Sequence, residues 1–242
     1  MGVDYLTGAE QAMLERVPGG AFFVDEVTKG QNRRYAARLL SRLARKKKLV
    51  RLKKGQYFSA GRRNEGRFFM ALALEPTGYI GLVSALSHYG LVDEALSRVQ
   101  VCTRSKQGLR DLGGFDVELV ALGDADFYGV VEEGALRFST RAKTFFDCLK
   151  KPAFAGGIDR VIRTMKKAAL SQDEWTELLY YLDAAPSKSL KQRAGFWLES
   201  LAPSWFLDGL EKSIGSKAVV RVGPAKWVSF NRRWGVYHGS TA

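Results

Sequence analysis

Cysteine, histidine and proline are scarce in this chain, and their scarcity excludes several classes of protein. The 242 residues include two Cys, two His and six Pro, while 46% of the residues are hydrophobic. Cys102 and Cys148 form neither a C-x-x-C ligand pair nor a disulfide framework, and each lies among apolar neighbours. Disordered, collagen-like and disulfide-stapled proteins are therefore excluded. We expect the protein to reside in a reducing cytoplasm.

Long hydrophobic runs are also absent. No apolar run reaches the roughly 18 residues that a membrane-spanning helix needs. The first 20 residues form an acidic amphipathic segment, whereas a secretory signal places a basic region before an apolar one. We therefore expect a soluble, unexported protein without a membrane partner.

The motifs of common catalytic and metal sites are missing as well. His88 and His238 are far apart, and neither an H-E-x-x-H nor a Gly-x-Ser-x-Gly motif occurs. Asp124 and Asp126 form a D-x-D pair that could hold metal ions for phosphoryl transfer, but the Gly-Ser turn that precedes such carboxylates in nucleotidyltransferases is absent. We interpret this pair as part of a solvated turn. No enzymatic activity, no bound metal and no cofactor are expected.

Acidic residues are missing from one long stretch, and this absence dominates the charge pattern. The chain has 38 Lys and Arg against 25 Asp and Glu, a net charge of +13. Residues 1–62 contribute +9 of this charge, and residues 31–54 contain 11 basic side chains and no acidic one. Such a density of one sign repels itself unless a polyanion or water takes up the field. Nucleic acid is therefore the first partner to consider.

Three helices are predicted in the basic N-terminal region. Residues 6–17 have a helical pattern, with Thr7 and Glu10 placed to form a capping box. A second helix of about two turns is predicted around residues 22–27. In residues 31–47 the apolar side chains recur on one side at helical spacing, and arginines recur nearly opposite. The third helix therefore has one face that packs and one that is cationic.

A hairpin with a basic tip is predicted directly after the third helix. Residues 49–52 and 56–59 read as strands on either side of Lys53, Lys54 and Gly55. Three helices followed by such a hairpin is the order of a winged helix-turn-helix. In that fold the third helix enters the major groove of DNA, and the wing lies along the flanking backbone or minor groove.

The predicted DNA contacts divide into two groups by position. Side chains at the start of the third helix can reach base edges, and we expect the others at phosphates. The first group consists of Gln31, Asn32, Arg33, Arg34 and Tyr35. The second group consists of Arg38, Arg42, Lys46, Lys47, Lys48, Arg51, Lys53 and Lys54.

Two other interpretations of the basic region stay open. A run of charge is often only a solvated helix face, and a winged helix can also dock a protein. A solvated helix gains from Glu–Lys pairs four residues apart, so its face usually mixes the two signs. The absence of any acid over 24 residues therefore favours DNA.

A second, larger domain is predicted over residues 67–242, after the winged helix of residues 1–62 and a linker near residues 60–66. Helical patterns cover 67–74, 140–149, 158–168, 171–182, 190–201 and 205–214, and strand patterns cover 98–103, 117–122 and parts of 127–138 and 218–237. The tryptophans and the Tyr180-Tyr181 pair fall at apolar positions, so we interpret them as core. The expected fold class is mixed α/β (α+β), an N-terminal winged helix-turn-helix followed by a larger mixed α/β domain.

Several segments of the larger domain carry a family resemblance. They are Gly78-Tyr79-Ile80, Ser84-Ala85-Leu86-Ser87-His88-Tyr89-Gly90-Leu91, Thr140, Lys143-Thr144-Phe145-Phe146-Asp147-Cys148-Leu149, Lys151-Pro152 and Gly156-Gly157-Ile158. Together they resemble the abortive-infection AbiEi antitoxins, and Asn231-Arg232-Arg233-Trp234 is similar to the end of the antitoxin domain. The resemblance spans most of the chain, and none of its motifs is catalytic.

This resemblance implies a function and two partners. A member of the family is expected to be a DNA-binding transcriptional autorepressor and the antitoxin of a type IV toxin–antitoxin system, which acts in abortive infection as a phage defence. It would bind inverted repeats in its own promoter. Its functional partner would be a nucleotidyltransferase toxin, without a stable complex between the two.

The expected assembly follows from the symmetry of an inverted repeat, which needs two chains because one winged helix reads one half-site. The sequence has no heptad seam for a coiled-coil dimer, so we expect the free protein to be monomeric and to assemble on double-stranded operator DNA. A nucleic-acid-processing enzyme or an RNA-binding protein that uses the same basic N-terminal module is the alternative function.

Overall fold

The fold is mixed α and β, as the sequence predicts. A computed structural model describes residues 5–28, 30–59, 66–93, 97–112, 115–223 and 229–239. Within these ranges it has ten α-helices and twelve strands in three sheets. The chain divides into two compact units. Met1–Ile80, Leu96–Phe127 and Glu132–Arg137 form the first unit, and Gly81–Ala95, Tyr128–Val131 and Phe138–Ala242 form the second.

The N-terminal part of the first unit is a winged helix. Its elements are α1 (Gly8–Arg16), β1 (Ala21–Phe23), α2 (Val24–Thr28), α3 (Arg33–Arg45), β2 (Leu49–Lys53) and β3 (Gln56–Ser59). The three strands form an antiparallel sheet in the order β1-β3-β2, and the hairpin of β2 and β3 is the wing.

Local sequence features determine where these helices begin and which face of each is buried. Thr7 caps α1, and the predicted capping box with Glu10 is present in both directions. In α3 the residues Ala36, Leu39, Leu40 and Leu43 are buried and belong to a core cluster that includes side chains of α1, α2 and the sheet. Because residues at these spacings share one helix face, their burial leaves the arginines on the outside.

The second predicted helix begins later than the sequence suggests. Residues 21–23 form the short strand β1, and α2 covers only Val24–Thr28. Ala21, Phe22 and Phe23 pair with Phe58, Tyr57 and Gln56 of β3. A three-residue strand depends on this pairing with a distant segment, so its own residues do not reveal it.

The rest of the first unit contributes most of the strands of a second, six-stranded sheet. Its elements are α4 (Gly66–Leu74), β4 (Tyr79–Ile80), β5 (Arg98–Thr103), β6 (Gly108–Asp111) and β7 (Asp116–Ala121). With β8 (Val130–Glu133) and β9 (Leu136–Ser139), these strands have the order β6-β7-β5-β4-β9-β8. The β5–β7 pair is parallel, whereas β4–β5 and β6–β7 are antiparallel.

Contacts join the winged helix to α4 within the first unit. The ring of Phe58 lies 5.9 Å from that of Phe69 in an edge-to-face arrangement, and the Gln56 side chain donates to the Ala73 carbonyl at 3.3 Å. The predicted linker at residues 60–66 lies almost entirely outside the described residues. The domain boundary near residue 62 therefore stays a prediction.

The second unit is mainly helical. Its helices are α5 (Leu82–His88), α6 (Arg141–Lys150), α7 (Ile158–Ala168), α8 (Gln172–Ala184), α9 (Lys188–Leu198) and α10 (Ser204–Ile214). Its strands β10 (Val220–Val222), β11 (Ser229–Asn231) and β12 (Val236–His238) form a sheet in the order β10-β12-β11. The predicted capping box of Ser171 and Glu174 is present at the start of α8.

Helix α6 carries a buried ionic group. Lys143 and Asp147, four residues apart, form an ion pair and are both fully buried. The Lys143 ammonium also lies 5.0 Å from the ring centroids of Tyr128 and Phe146, so both rings attract it through cation–π interactions. Loss of either side chain would leave the other charge buried in the core without this ion pair.

Two aromatic residues lie on the surface, contrary to the sequence interpretation. Trp205 is 40% exposed and Tyr180 is 68% exposed. In α8 the buried face is formed by Trp175, Leu178, Tyr181 and Leu182, and Tyr180 lies outside it. Trp175 and Trp234 are buried as expected, and Trp227 lies outside the described residues.

None of the helices in the described ranges is both long enough and apolar enough to cross a bilayer.

The close approach of α9 to Trp234 gives a test of the packing. A Cβ added at Gly195 would overlap the fully buried Trp234 ring, whereas one added at Gly209 would meet only the flexible end of Leu179, 2.9 Å away. We expect Gly195→Ala to lower the free energy of unfolding by about 1–3 kcal/mol, because the ring cannot move without repacking the core. Gly209→Ala should change it by less than about 1 kcal/mol, because a gain in helix propensity offsets a small shift of Leu179. Urea unfolding of the two variants makes the comparison, and equal stability would contradict the packing at Trp234.

Candidate nucleic-acid interface

The exposed side of α3 is uniformly cationic. Arg34, Arg38 and Arg45 are exposed along the helix, together with Tyr35, whose side chain is 42% exposed. The opposite side of the helix is buried in the core of the winged helix. Packing of one face therefore places the other against solvent, where a partner can reach it.

The wing also carries exposed cations. Arg51 and Lys53 on β2 are exposed, and Lys54 is exposed at the tip of the hairpin. Gly55 follows with φ of 81°, a conformation that closes the tight turn and that residues with a Cβ rarely adopt. Lys48 is exposed where α3 leads into β2.

Seven of these cations have no acidic partner among the residues that the structure describes. They are Arg34, Arg38, Arg45, Lys48, Arg51, Lys53 and Lys54. We call this set the unpaired basic face.

Several cations elsewhere in the described residues are paired with acids. Arg98 contacts Glu118 at 3.2 Å, Arg104 contacts Asp124 at 2.7 Å, and Arg233 contacts Asp208 at 2.7 Å. The unpaired basic face differs in that its seven cations fall within residues 34–54, a stretch without any acidic residue, so it is a local excess of positive charge. Its self-repulsion would be relieved by a polyanion such as the DNA backbone.

Three predicted contact residues are engaged with acids. Arg33 forms an ion pair with Asp25 at 2.6 Å, and both side chains are exposed. Arg42 and Lys46 both contact Glu10, at 3.4 Å and 2.9 Å. Arg33 is therefore less available to base edges, and Arg42 and Lys46 are less available to phosphates, than the sequence suggests. Lys47 is exposed just after α3, with φ of 55°.

Glu10 of α1 is a buried anion that contacts cations at the C-terminal end of α3. Its side chain is 1% exposed and accepts hydrogen bonds from the Thr7 backbone N–H at 2.8 Å and from Lys46 Nζ at 2.9 Å. The Thr7 hydrogen bond and the Lys46 ammonium lower the pKa of Glu10 from 4.5 to about 2. Sequence analysis identified Glu10 only as a capping residue and missed this second role.

The start of α3 presents fewer base-reading groups than predicted. The Asn32 side-chain oxygen caps the helix by accepting from the Arg34 N–H at 2.9 Å, so a paired contact with adenine would compete with the cap. Gln31 is half-buried, and its Oε1 is buried without a hydrogen-bond partner. Arg34 and Tyr35 are the side chains of this group best placed to reach bases.

The candidate catalytic residues do not come together. Asp124 is exposed and paired with Arg104, and Asp126 is buried in the same 3₁₀ turn, so the D-x-D pair lies in a turn of which only one carboxylate is exposed. His88 stacks on Phe138 with the ring centroids 3.8 Å apart. Within the described ranges, no group of three or more His, Cys, Asp or Glu side chains is placed to hold a metal ion.

Comparison with known proteins supports the fold alone. No family model matches the chain, and no curated protein matches it. Among solved structures, the chain is similar to the RV2827C protein from Mycobacterium tuberculosis, with a TM-score of 0.62 and 16% sequence identity over 95% of this chain and 89% of that one. At this identity the likeness extends to architecture and carries no function with it.

The pKa of Glu10 predicts a distinct pH dependence. Because the folded-state pKa lies below the value of 4.5 for an unperturbed carboxyl, ionised Glu10 stabilises the fold above about pH 4.5, and that stabilisation is lost as the pH falls towards 2. We expect Glu10→Gln to lower the thermal midpoint at pH 7, with a difference from the wild type that shrinks between about pH 5 and pH 2. Glu15→Gln, at an exposed position of the same helix, is the control and should leave the midpoint nearly unchanged. If Glu10→Gln lowered the thermal midpoint by the same amount at pH 7 and at pH 2, the ionic role would be contradicted.

Proposed function

We propose that the protein is a transcriptional repressor that binds duplex DNA through α3 and the wing. The unpaired basic face carries this proposal, because seven exposed cations without acidic partners lie on α3, on the wing and on the segment between them. An α-helix fits the width of the major groove, and the adjoining wing extends the surface towards the flanking backbone.

The geometry favours DNA over double-stranded RNA. The major groove of A-form RNA is deep and narrow, so a recognition helix cannot enter it. The base-reading candidates Arg34 and Tyr35 lie on the first turn of α3, and the side chains expected at phosphates lie further along the helix and on the wing. This division suits a helix that enters a groove by its N-terminal end.

We extend the proposal to autorepression and antitoxin activity. The support is the resemblance of segments within residues 78–158, and of residues 231–234, to AbiEi antitoxins. In this proposal the DNA site is an inverted repeat in the protein's own promoter, bound by two chains that are monomeric when free. The functional partner is a nucleotidyltransferase toxin, the chain itself is not an enzyme, and no stable complex with the toxin is required.

Variants can separate the positioning of DNA from the reading of its sequence. We expect the double change Lys53→Ala and Lys54→Ala to weaken binding to operator and unrelated DNA about equally, because phosphate contacts carry no sequence information. Each lost contact should also flatten the log–log salt dependence by about one. Arg34→Ala should cost roughly 1–3 kcal/mol on the operator and little on unrelated DNA, because a guanidinium can form paired bonds with guanine.

The measurement is a titration of both DNAs at several salt concentrations. Lys212→Ala, which removes an exposed cation of α10, is the control and should leave both affinities unchanged. If Arg34→Ala weakens both DNAs equally, α3 does not read the sequence. If the wing variant binds as the wild type does, the hairpin does not contact the backbone.

A further inference from the structure

The second unit has an apolar groove with aromatic walls. The groove has a volume of about 580 Å³ and is lined by Ile158 and Ile162 of α7, Phe196 and Trp197 of α9, and His238 of β12. The rings of Phe196 and His238 lie 4.8 Å apart, at an angle of 35°. Concave sites of this size with apolar and aromatic walls are typical of small-molecule binding.

Helix α7 also lines a second cavity, which is basic. This cavity has a volume of about 420 Å³, and its cations are Arg160, Arg163 and Lys167. Asp93, the acidic side chain in its lining, lies 3.0 Å from the Lys167 ammonium. Three cations and one acid line this cavity, and Asp159 in the lining of the aromatic groove is a second acid, so the two cavities together have a net charge of +1 and attract anions.

Arg163 lies between the two cavities and lines both of them. Its side chain is exposed and follows Asp159 by four residues, the spacing of a helical ion pair, yet no ion pair joins the two side chains. A guanidinium with no acidic partner among the described residues, at the junction of an aromatic groove and a basic cavity, is suited to bind a ligand that carries both a phosphate and an aromatic ring.

We propose that the two cavities form one site for a free nucleoside triphosphate. The base stacks in the aromatic groove, and the phosphates bind Arg163 and the basic cavity. Since every base has a face that can stack, the site should accept all four bases with similar affinity. This site belongs to the second unit, and the inference does not depend on DNA binding by the first.

Calorimetric titration of the full-length protein tests the site. The probes are ATP, CTP, GTP and UTP, with adenosine and inorganic triphosphate as the two halves of the ligand. We expect each nucleotide to bind at least about tenfold more tightly than either half, because only the whole ligand fills both cavities. Arg163→Ala should weaken nucleotide binding about tenfold or more. Lys166→Ala, which removes an exposed cation of α7 that lines neither cavity, should change it by less than about twofold.

Tryptophan fluorescence gives an independent readout of the aromatic groove. Nucleotide addition should quench the emission of Trp197, so Trp197→Phe should lose most of the nucleotide-dependent signal. Trp205→Phe, which removes a surface tryptophan outside the groove, should keep that signal.

Three results would overturn the proposal. Adenosine that binds as tightly as ATP would show that the phosphates are not recognised. Equal effects of Arg163→Ala and Lys166→Ala would show that the nucleotides bind only by general electrostatic attraction. An RNA with a 5′-triphosphate that binds more than about tenfold tighter than the free nucleotides would make an RNA end the ligand.

Discussion

Burial of the apolar face of α3 determines where the cations of the winged helix point. Ala36, Leu39, Leu40 and Leu43 pack into the core of the N-terminal module, so the opposite face cannot turn inward. Glu10 then ties α1 to the C-terminal end of α3 through Arg42 and Lys46. The hydrophobic contacts fix the rotation of the helix, and the ionic contact engages Arg42 and Lys46. Arg33 pairs with Asp25, so Arg34, Arg38 and Arg45 are the cations of α3 left for a partner.

This packing determines which cations remain available to bind a partner. A cation that already has an acidic neighbour gains little free energy when it binds a phosphate, because the acid largely cancels its field. Elsewhere in the chain, pairs such as Arg98–Glu118 and Arg233–Asp208 cancel much of the positive charge. On α3, on the wing and on the segment between them, seven side chains have no such acid among the described residues, so binding a polyanion removes mutual repulsion as well as releasing counterions.

Sequence reasoning succeeded where structure is set locally. Both capping boxes are present, and the bounds of α7 agree with the prediction, because caps and helical spacing involve residues within a few positions of one another. It failed at β1, whose strand character depends on a distant partner, and it overlooked β6, a short and mostly exposed strand that pairs with the neighbouring β7. It also counted Arg42 and Lys46 as free phosphate contacts, since nothing in the spacing shows that Glu10 reaches them. The capping role of Asn32 was likewise hidden, because the same side chain suits both a cap and a base contact.

The central claim is that α3 and the wing bind a specific duplex sequence, and a hydroxyl-radical footprint on the DNA upstream of the protein's own gene tests it most directly. The experiment uses the full-length chain at a salt concentration that suppresses non-specific binding. The account predicts two protected half-sites, inverted relative to each other, with centres separated by about 10 base pairs or a multiple of that spacing. Protection that is uniform along the fragment, or equally strong on unrelated DNA, would contradict it.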